Sequence, residues 1–313
     1  MKTLKLNNGH EIPVIGFGTF KSTEGEANRI VKEAIDVGYR HFDCAYFYGN
    51  EQEIGAALTD KIKDGTVKRD DLFITTKLWN NFHDKESVLP MLRNQLKSLQ
   101  LEYVDLYLMH WPFGFKKDAD MFPSASGSSA YSDVDYLETW KAMEECVRLG
   151  LARSIGISNF NTEQITRLLN AAQIKPAVNQ IEVNPNINQK KLIQFCKDRE
   201  IVITGYCPLG RVYAYEGSSA MPKPTLLDER VLAMREKYNK SAAQIVIRYL
   251  LDLGITIIPK STRKERMIEN LDVFDFELEK VDVEYLDSLD RNARICGFIN
   301  FKDHKYFPFN IEY

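Results

Sequence analysis

A set of four residues in this 313-residue chain carries groups able to pass a proton between atoms: Asp43, Tyr48, Lys77 and His110. Each stands at or just beyond the end of a short apolar run. Asp43 closes His41–Asp43, with Tyr48 about one turn further on. Lys77 follows Leu72–Thr76, and His110 follows Val104–Met109. A carboxylate, a phenol, an ammonium and an imidazole make a proton-transfer set. They make a poor metal set, because no second histidine stands at ligand spacing from His110. Singly, each has an ordinary explanation: a turn-forming Asp, a solvent-directed Lys, a packed His. Their recurrence at successive run ends marks them out, and Ser158-Asn159, Gln180 and Tyr206 continue the pattern after three later runs.

Positioning such a set calls for strands whose ends meet. Eight runs read as strands: Val14–Gly18, His41–Asp43, Leu72–Thr76, Val104–Met109, Ser154–Ile157, Ala177–Ile181, Val202–Gly205 and Thr256–Ile258. Helical spacing fills the gaps at Ala27–Val37, Glu51–Lys63, Lys85–Leu99, Tyr136–Leu149, Thr162–Ala171, Gln189–Asp198, Glu229–Lys237 with Ala242–Leu253, and Lys264–Leu271. In Lys85–Leu99 the apolar Val88, Met91, Leu92, Leu96 and Leu99 fall on one face. The spacing puts Leu137, Trp140, Met143 and Val147 on one face of Tyr136–Leu149. Strand-then-helix repeated this way predicts parallel strands joined by crossovers, and eight units in this length predict a closed (β/α)8 barrel. Active groups then sit at the C-terminal ends of the strands. The alternative is an open doubly wound sheet, which usually carries a glycine fingerprint after its first strand. Gly16-Phe17-Gly18 lacks the third glycine. Asn8-Gly9, flanked by Leu4, Leu6, Ile12 and Val14, predicts an N-terminal hairpin with a tight two-residue turn.

Two connections are long: Trp111–Asp133, with Ser124-Ala125-Ser126-Gly127-Ser128-Ser129, and Gly210–Leu227, with Gly217-Ser218-Ser219 and Pro222-Lys223-Pro224. Together with the irregular tail Arg291–Tyr313 they are expected to carry binding. No boundary divides the chain, so one domain over 1–313 is expected.

Lys plus Arg number 41 and Asp plus Glu 44, leaving a net charge of −3. That balance argues against nucleic acid or an acidic membrane as partner. No run approaches the roughly 18 apolar residues of a spanning helix, and Met1–His10 has no secretory character. The five cysteines, Cys44, Cys146, Cys196, Cys207 and Cys296, are scattered and form no CxxC pair. A disulfide framework and a metal site are therefore not expected, and a reducing, cytoplasmic setting is.

Several long motifs resemble the aldo-keto reductase superfamily. They are Gly38-Tyr39-Arg40-His41-Phe42-Asp43-Cys44-Ala45 with Glu51 and Gly55, Tyr103-Val104-Asp105-Leu106-Tyr107-Leu108-Met109-His110-Trp111-Pro112, Gly156-Ile157-Ser158-Asn159-Phe160, and Ile258-Pro259-Lys260-Ser261. The resemblance covers nearly the whole chain. It implies a (β/α)8 fold and NADPH-dependent reduction of aldehydes and ketones to alcohols.

On that resemblance Tyr48 is the general acid, Lys77 stabilises its phenolate and so lowers the barrier to giving up the proton, Asp43 holds Lys77, and His110 donates a hydrogen bond to the substrate oxygen. Tyr206 is the aromatic that stacks on the nicotinamide, while Ser158, Asn159 and Gln180 hold its carboxamide. Gly18, Thr19 and Phe20 admit the cofactor's close approach, and Cys207 and Leu209 extend its site. Lys260, Ser261, Thr262 and Arg266, followed by Glu269 and Asn270, suit the 2′-phosphate of NADPH. Basic residues at a helix start oppose its dipole, which fits an anionic partner.

Phe20, Phe47, Trp79, Trp111 and Phe298, with Tyr48 and His110, are expected to line a pocket for a hydrophobic small-molecule carbonyl. Phe20 stands where many members carry Trp or Tyr, Cys207-Pro208 stands where Ser is common, and the Phe113–Tyr131 insert is this chain's own. These departures bear on substrate class. The family expectation is a monomer. A non-catalytic, cofactor-sensing or structural member is one alternative. A metal-dependent hydrolase using Asp43, Asp105 and His110 is another.

Overall fold

The computed structural model describes residues 2–22, 25–123, 128–210 and 223–313. Residues 124–127 of the first long connection and 211–222 of the second, including Gly217-Ser218-Ser219, lie outside the described residues.

The chain opens with a hairpin, β1 (Thr3–Lys5) against β2 (Glu11–Pro13), with Leu4 opposite Ile12. Its turn differs from expectation. Gly9 N–H donates to Leu6 O at 2.9 Å, Leu6 N–H donates to His10 O at 2.8 Å, and of the turn residues only Gly9 has positive φ, at 91°. This is a three-residue connection with glycine in the bulge position, not a two-residue turn. The side chains of Asn7 and Asn8 tie it down: Asn7 donates to Pro176 O and Asn8 to Ser154 Oγ, both at 2.8 Å. Leu6 and Ile12 then pack against Phe73, Leu106, Leu108 and Ala177, so the hairpin plugs the floor of the barrel.

Eight parallel strands follow, each bonded to its neighbour in sequence: β3 (Phe17–Gly18), β4 (His41–Asp43), β5 (Phe73–Leu78), β6 (Val104–Met109), β7 (Ala152–Ser158), β8 (Val178–Glu182), β9 (Val202–Tyr206) and β10 (Thr256–Ile257). The expected strand Val14–Gly18 contracts to two residues, because Val14–Gly16 pairs instead with the last strand. Gly16 N–H donates to Ile257 O at 2.8 Å and Ile257 N–H to Val14 O at 2.9 Å, around a parallel bridge between Ile15 and Ile257. First and last strands therefore meet, as a barrel requires.

Helices α1 (Glu26–Val37), α2 (Glu51–Lys63), α3 (Lys85–Leu99), α4 (Tyr136–Arg148), α5 (Thr162–Ala171), α6 (Lys190–Lys197), α7 (Glu229–Tyr238), α8 (Ala242–Asp252) and α9 (Lys264–Leu271) alternate with the strands. The expected stripe of α3 is buried throughout. That of α4 is rotated. Tyr136, Thr139, Trp140, Met143 and Cys146 are buried, while Leu137 and Val147 are only half-buried. Glu144 turns inward because its carboxylate accepts the backbone N–H groups of Gln173 and Ile174. Gly55 is needed where α2 crosses the end of α3, since an added Cβ would come 2.3 Å from Ser98 O. A further helix among the described residues, α10 (Lys280–Ser288), was not expected from the sequence.

Strand period sorts the residues between two faces. Phe73, Thr75 and Lys77 share one face of β5. Phe73 meets the hairpin at the floor, and Lys77 reaches the opposite end of the barrel. The tail 291–313 covers that end, with Phe301 and Phe307 packed among Trp79, Trp111, Phe113 and Phe115.

Candidate active site

Asp43 ends β4. A short 3-10 turn, Tyr46–Tyr48, then carries Tyr48 over the strand ends, and Gly49 at φ 69° releases the chain into α2. Lys77 rises from β5 between them, fully buried. Its Nζ donates to Asp43 Oδ2 at 2.7 Å, to Cys44 O at 2.9 Å and to Tyr48 Oη at 3.1 Å. His110, one residue past β6, faces Tyr48 edge-on with ring centroids 5.9 Å apart. The four residues that the sequence spreads over 68 positions are thus gathered at one mouth. Asp105 is not among them. It lies at the other end of β6, where its carboxylate accepts from Arg69 at 2.7 Å and from Ile74 N–H at 2.8 Å.

A cavity of about 240 Å³ opens here, and Asp43, Tyr48 and His110 line it while Lys77 sits behind them. Burial dominates the electrostatics. It holds the Tyr48 phenol well above its usual pKa, and the Asp43 charge adds in the same direction. The Lys77 ammonium beside the phenol is shared with Asp43 Oδ2 and Cys44 O. Burial, then the Lys77 charge, holds His110 well below its usual pKa, so the imidazole is neutral at neutral pH. Its Nδ1 is buried with no partner among the described residues.

A second wall is polar and hydrogen-bonded to itself. Tyr206 Oη donates to Asn159 Oδ1 at 2.7 Å, and Asn159 Nδ2 donates to His110 O at 3.0 Å and Ser158 Oγ at 3.1 Å. Ser158 Oγ donates to Gln180 O at 2.9 Å, and Gln180 Nε2 reaches across to Asp43 Oδ1 at 2.8 Å. Asn159 adopts φ 62°, a left-handed conformation that asparagine tolerates better than most residues. The chain of bonds fixes these amides before any ligand arrives.

Gly18, Phe20, Cys207 and Leu209 line the cavity as expected, and Lys260 is the cation at its edge. Thr19 does not line it. Its hydroxyl donates to Asp43 O at 2.8 Å and so braces the strand end. Beyond Lys260, Ser261 accepts from Arg263 N–H at 3.1 Å, Thr262 O accepts from Arg29, and Arg263, Lys264 and Arg266 are exposed at the start of α9. Glu269 takes the Ser241 hydroxyl that begins α8, and Asn270 is buried beside the Tyr39 hydroxyl. A wall of fixed amides and an aromatic leading to a cationic edge suits a dinucleotide: donors for a carboxamide at one end, cations for phosphate at the other.

The remaining wall is aromatic. Phe47 stacks on Trp79 with centroids 3.9 Å apart, and Trp111 on Phe298 at 4.2 Å. Trp79 Nε1 donates to Met121 O at 2.7 Å, which pins the 113–131 connection to this wall. Sequence reasoning missed Pro208, Gly210, Ile258, Pro259 and Cys296, which also line the cavity. It missed Glu182 as well, whose buried carboxylate accepts the N–H groups of Ile295 and Cys296, both at 2.8 Å. The signal available was an acidic residue at the end of an apolar run. Among the described residues no group of three or more His, Cys, Asp or Glu side chains could hold a metal ion. No described helix is long and apolar enough to cross a membrane.

Comparison with known proteins agrees with this geometry. A model described as "Aldo/keto reductase family" matches residues 14–291. Aldo-keto reductase family 1 member C18 of Rattus norvegicus is 45% identical over 320 residues, covering 100% of this chain and 99% of the relative. Estradiol 17 beta-dehydrogenase 5 of Mus musculus is 44% identical over 321 residues, covering 100% and 98%. The crystal structure of a Bombyx mori aldo-keto reductase in complex with NADP superposes with a TM-score of 0.90 at 40% identity, covering 98% of both chains.

Proposed function

The chain belongs to the aldo/keto reductase family and is an NADP(H)-dependent oxidoreductase, and from that premise we propose that it reduces hydrophobic aldehydes or ketones to alcohols with Tyr48 as the proton donor. The observation that carries the proposal is the contact of Lys77 Nζ with Tyr48 Oη at 3.1 Å, in a cavity that Tyr48 and His110 both line.

NADPH, when bound, supplies a hydride for the carbonyl carbon. Everything else falls to the chain. Tyr48 holds a proton at Oη throughout the neutral range, because burial keeps the phenol's pKa high. As negative charge develops on the carbonyl oxygen, Oη gives up that proton. Lys77 then stabilises the phenolate from 3.1 Å, and Asp43 holds Lys77 in place. Neutral His110 orients the carbonyl oxygen by hydrogen bonding.

Ser158, Asn159 and Gln180 would hold the cofactor's carboxamide, and Tyr206 would stack on its ring. Gly18, Phe20, Cys207 and Leu209 would flank it. Lys260, Ser261, Thr262 and Arg266 would hold the 2′-phosphate, with Glu269 and Asn270 bracing that region. Phe20, Phe47, Trp79, Trp111 and Phe298 exclude water and select an apolar substrate: an aromatic aldehyde, a lipid aldehyde or a steroid-like ketone. The relative named for estradiol supports the last of these. We further propose a single domain acting as a cytoplasmic monomer.

The test is NADPH oxidation by the purified protein across aromatic aldehydes, sugars, α,β-unsaturated carbonyls and steroid ketones. Hydrophobic carbonyls should give the highest kcat/KM. No turnover with any of them would overturn the reading.

A further inference from the structure

The cavity wall carries a pair of thiols whose sulfurs take no part in the proposed proton transfer. Cys207 directly follows β9 and Cys296 lies in the tail, 89 residues later, yet their sulfurs are 4.0 Å apart. Both line the cavity and both are half-buried. The other three cysteines form a natural contrast. Cys44, Cys146 and Cys196 are buried. Burial pushes the Cys44 thiol well up and those of Cys146 and Cys196 up to about 12. Only the cavity pair combines access with a neighbouring sulfur, and access is a first requirement for thiol chemistry.

The pair is held by its backbones. Glu182 grips the tail at Ile295 and Cys296 through two hydrogen bonds of 2.8 Å. Cys207 occupies a left-handed turn at φ 50°, and its carbonyl accepts from Gly210 N–H at 3.0 Å. The sulfurs therefore face each other because two anchored segments converge. A disulfide of about 2.05 Å needs them to close by roughly 2 Å.

We propose that Cys207 and Cys296 form a redox-reactive dithiol that is oxidised by hydroperoxides to a disulfide, stapling the tail to the end of β9 across the cavity wall. One thiolate attacks the peroxide oxygen. The O–O bond breaks, and the departing alkoxide or hydroxide takes up the thiol's proton, leaving a sulfenic acid. The second thiolate attacks the sulfenic sulfur, the S–O bond breaks, and water leaves. In sum, two thiols and one hydroperoxide give a disulfide, an alcohol (or water) and a water. Phe298 stands two residues past Cys296 and stacks on Trp111, and Tyr206 immediately precedes Cys207. The bond thus ties the aromatic wall to the polar wall and narrows the entrance for bulky carbonyls.

The experiment treats the full-length reduced protein with hydrogen peroxide, quenches with catalase, alkylates in denaturant and measures intact mass. All five cysteines of the untreated chain should be alkylated, against three after oxidation. Peptide mapping should find Cys207 joined to Cys296, and dithiothreitol should restore all five. Cys207→Ser and Cys296→Ser should each abolish the cross-link. Oxidised wild type should lose kcat/KM for a bulky aldehyde more than for a small one. Retention of five alkylated thiols, a lone oxygenated cysteine without a cross-link, or an intramolecular link that survives either serine variant would overturn the dithiol. A cross-link that leaves both kcat/KM values unchanged would overturn the narrowing. The mass readout needs no catalysis, so its failure is distinct from failure of the reductase reading.

Discussion

The phenol of Tyr48 and the ammonium of Lys77 are 3.1 Å apart, yet the phenol's pKa stands well above its usual value. Burial outweighs the neighbouring cation, whose charge is already engaged by Asp43. In the mechanism we propose, the site stores a proton and parts with it only when a stronger base forms alongside, as a carbonyl oxygen does while it gains negative charge.

Replacing Tyr48 with Phe keeps the ring and removes the proton. We expect kcat to fall by roughly 10²- to 10⁴-fold, with the dissociation constant for NADPH nearly unchanged. Steady-state kinetics and a cofactor-fluorescence titration read the two quantities separately. Wild-type turnover by the variant would dismiss Tyr48 as the acid.

Lys77→Met leaves the Asp43 carboxylate buried without its cation. Removing one partner of such a pair costs about 3–5 kcal/mol, to be read as a lowered midpoint of urea unfolding. Adding Asp43→Asn should recover part of that loss, although neither variant should regain activity. Equal stabilities for wild type and Lys77→Met would mean that the pair contributes nothing to folding.

Arg266 is exposed at the start of α9, beside Arg263 and Lys264. Its guanidinium is suited to a phosphate that NADH lacks. Arg266→Met should raise KM for NADPH and leave KM for NADH little changed. The same loss for both cofactors would remove the 2′-phosphate from the account.

Glu51 supplies a pH dependence of stability. Its carboxyl is buried between α2 and α3, bonded to Thr76 and to Gln95, and burial pushes its pKa from 4.5 up to about 7. The folded chain therefore binds this proton more tightly than the unfolded chain does. The resulting stability is fully present below about pH 4.5 and is lost as pH rises through about 7. A shift of this size corresponds to about 3 kcal/mol. Glu51→Gln, which cannot ionise, should flatten that decline, so that its unfolding free energy relative to wild type rises between pH 5 and pH 8. Parallel pH profiles for the two proteins would contradict the raised pKa.

The sequence revealed the barrel because each strand–helix unit advertises itself locally. Periods of 2 and 3.6 residues and the residues at run ends are readable one element at a time. It pointed to Asp43, Tyr48, Lys77 and His110 in the same way, since each stands at or shortly beyond the end of a run, and the fold brings all four to one mouth. The missed features depend on parts of the chain that meet only after folding. Cys296 belongs to a tail with no period, and its contact with Cys207 exists only because Glu182 draws Ile295 and Cys296 to β8. Asn8-Gly9 was legible as a turn, but not its three-residue form, because the asparagine side chains are committed to Pro176 and Ser154 far along the chain. The high pKa of Tyr48 follows from burial, which no spacing discloses.

The indole of Trp79 gives its only N–H to Met121 in the 113–131 connection. An aromatic surface next to Tyr48 and His110 thus takes its orientation from a stretch of chain whose described residues do not themselves line the cavity. If the aromatic wall selects the substrate as we propose, lengthening, shortening or resequencing that stretch would retune what the enzyme accepts while leaving its chemistry intact, and preference for one carbonyl over another would drift in evolution through mutations outside the pocket.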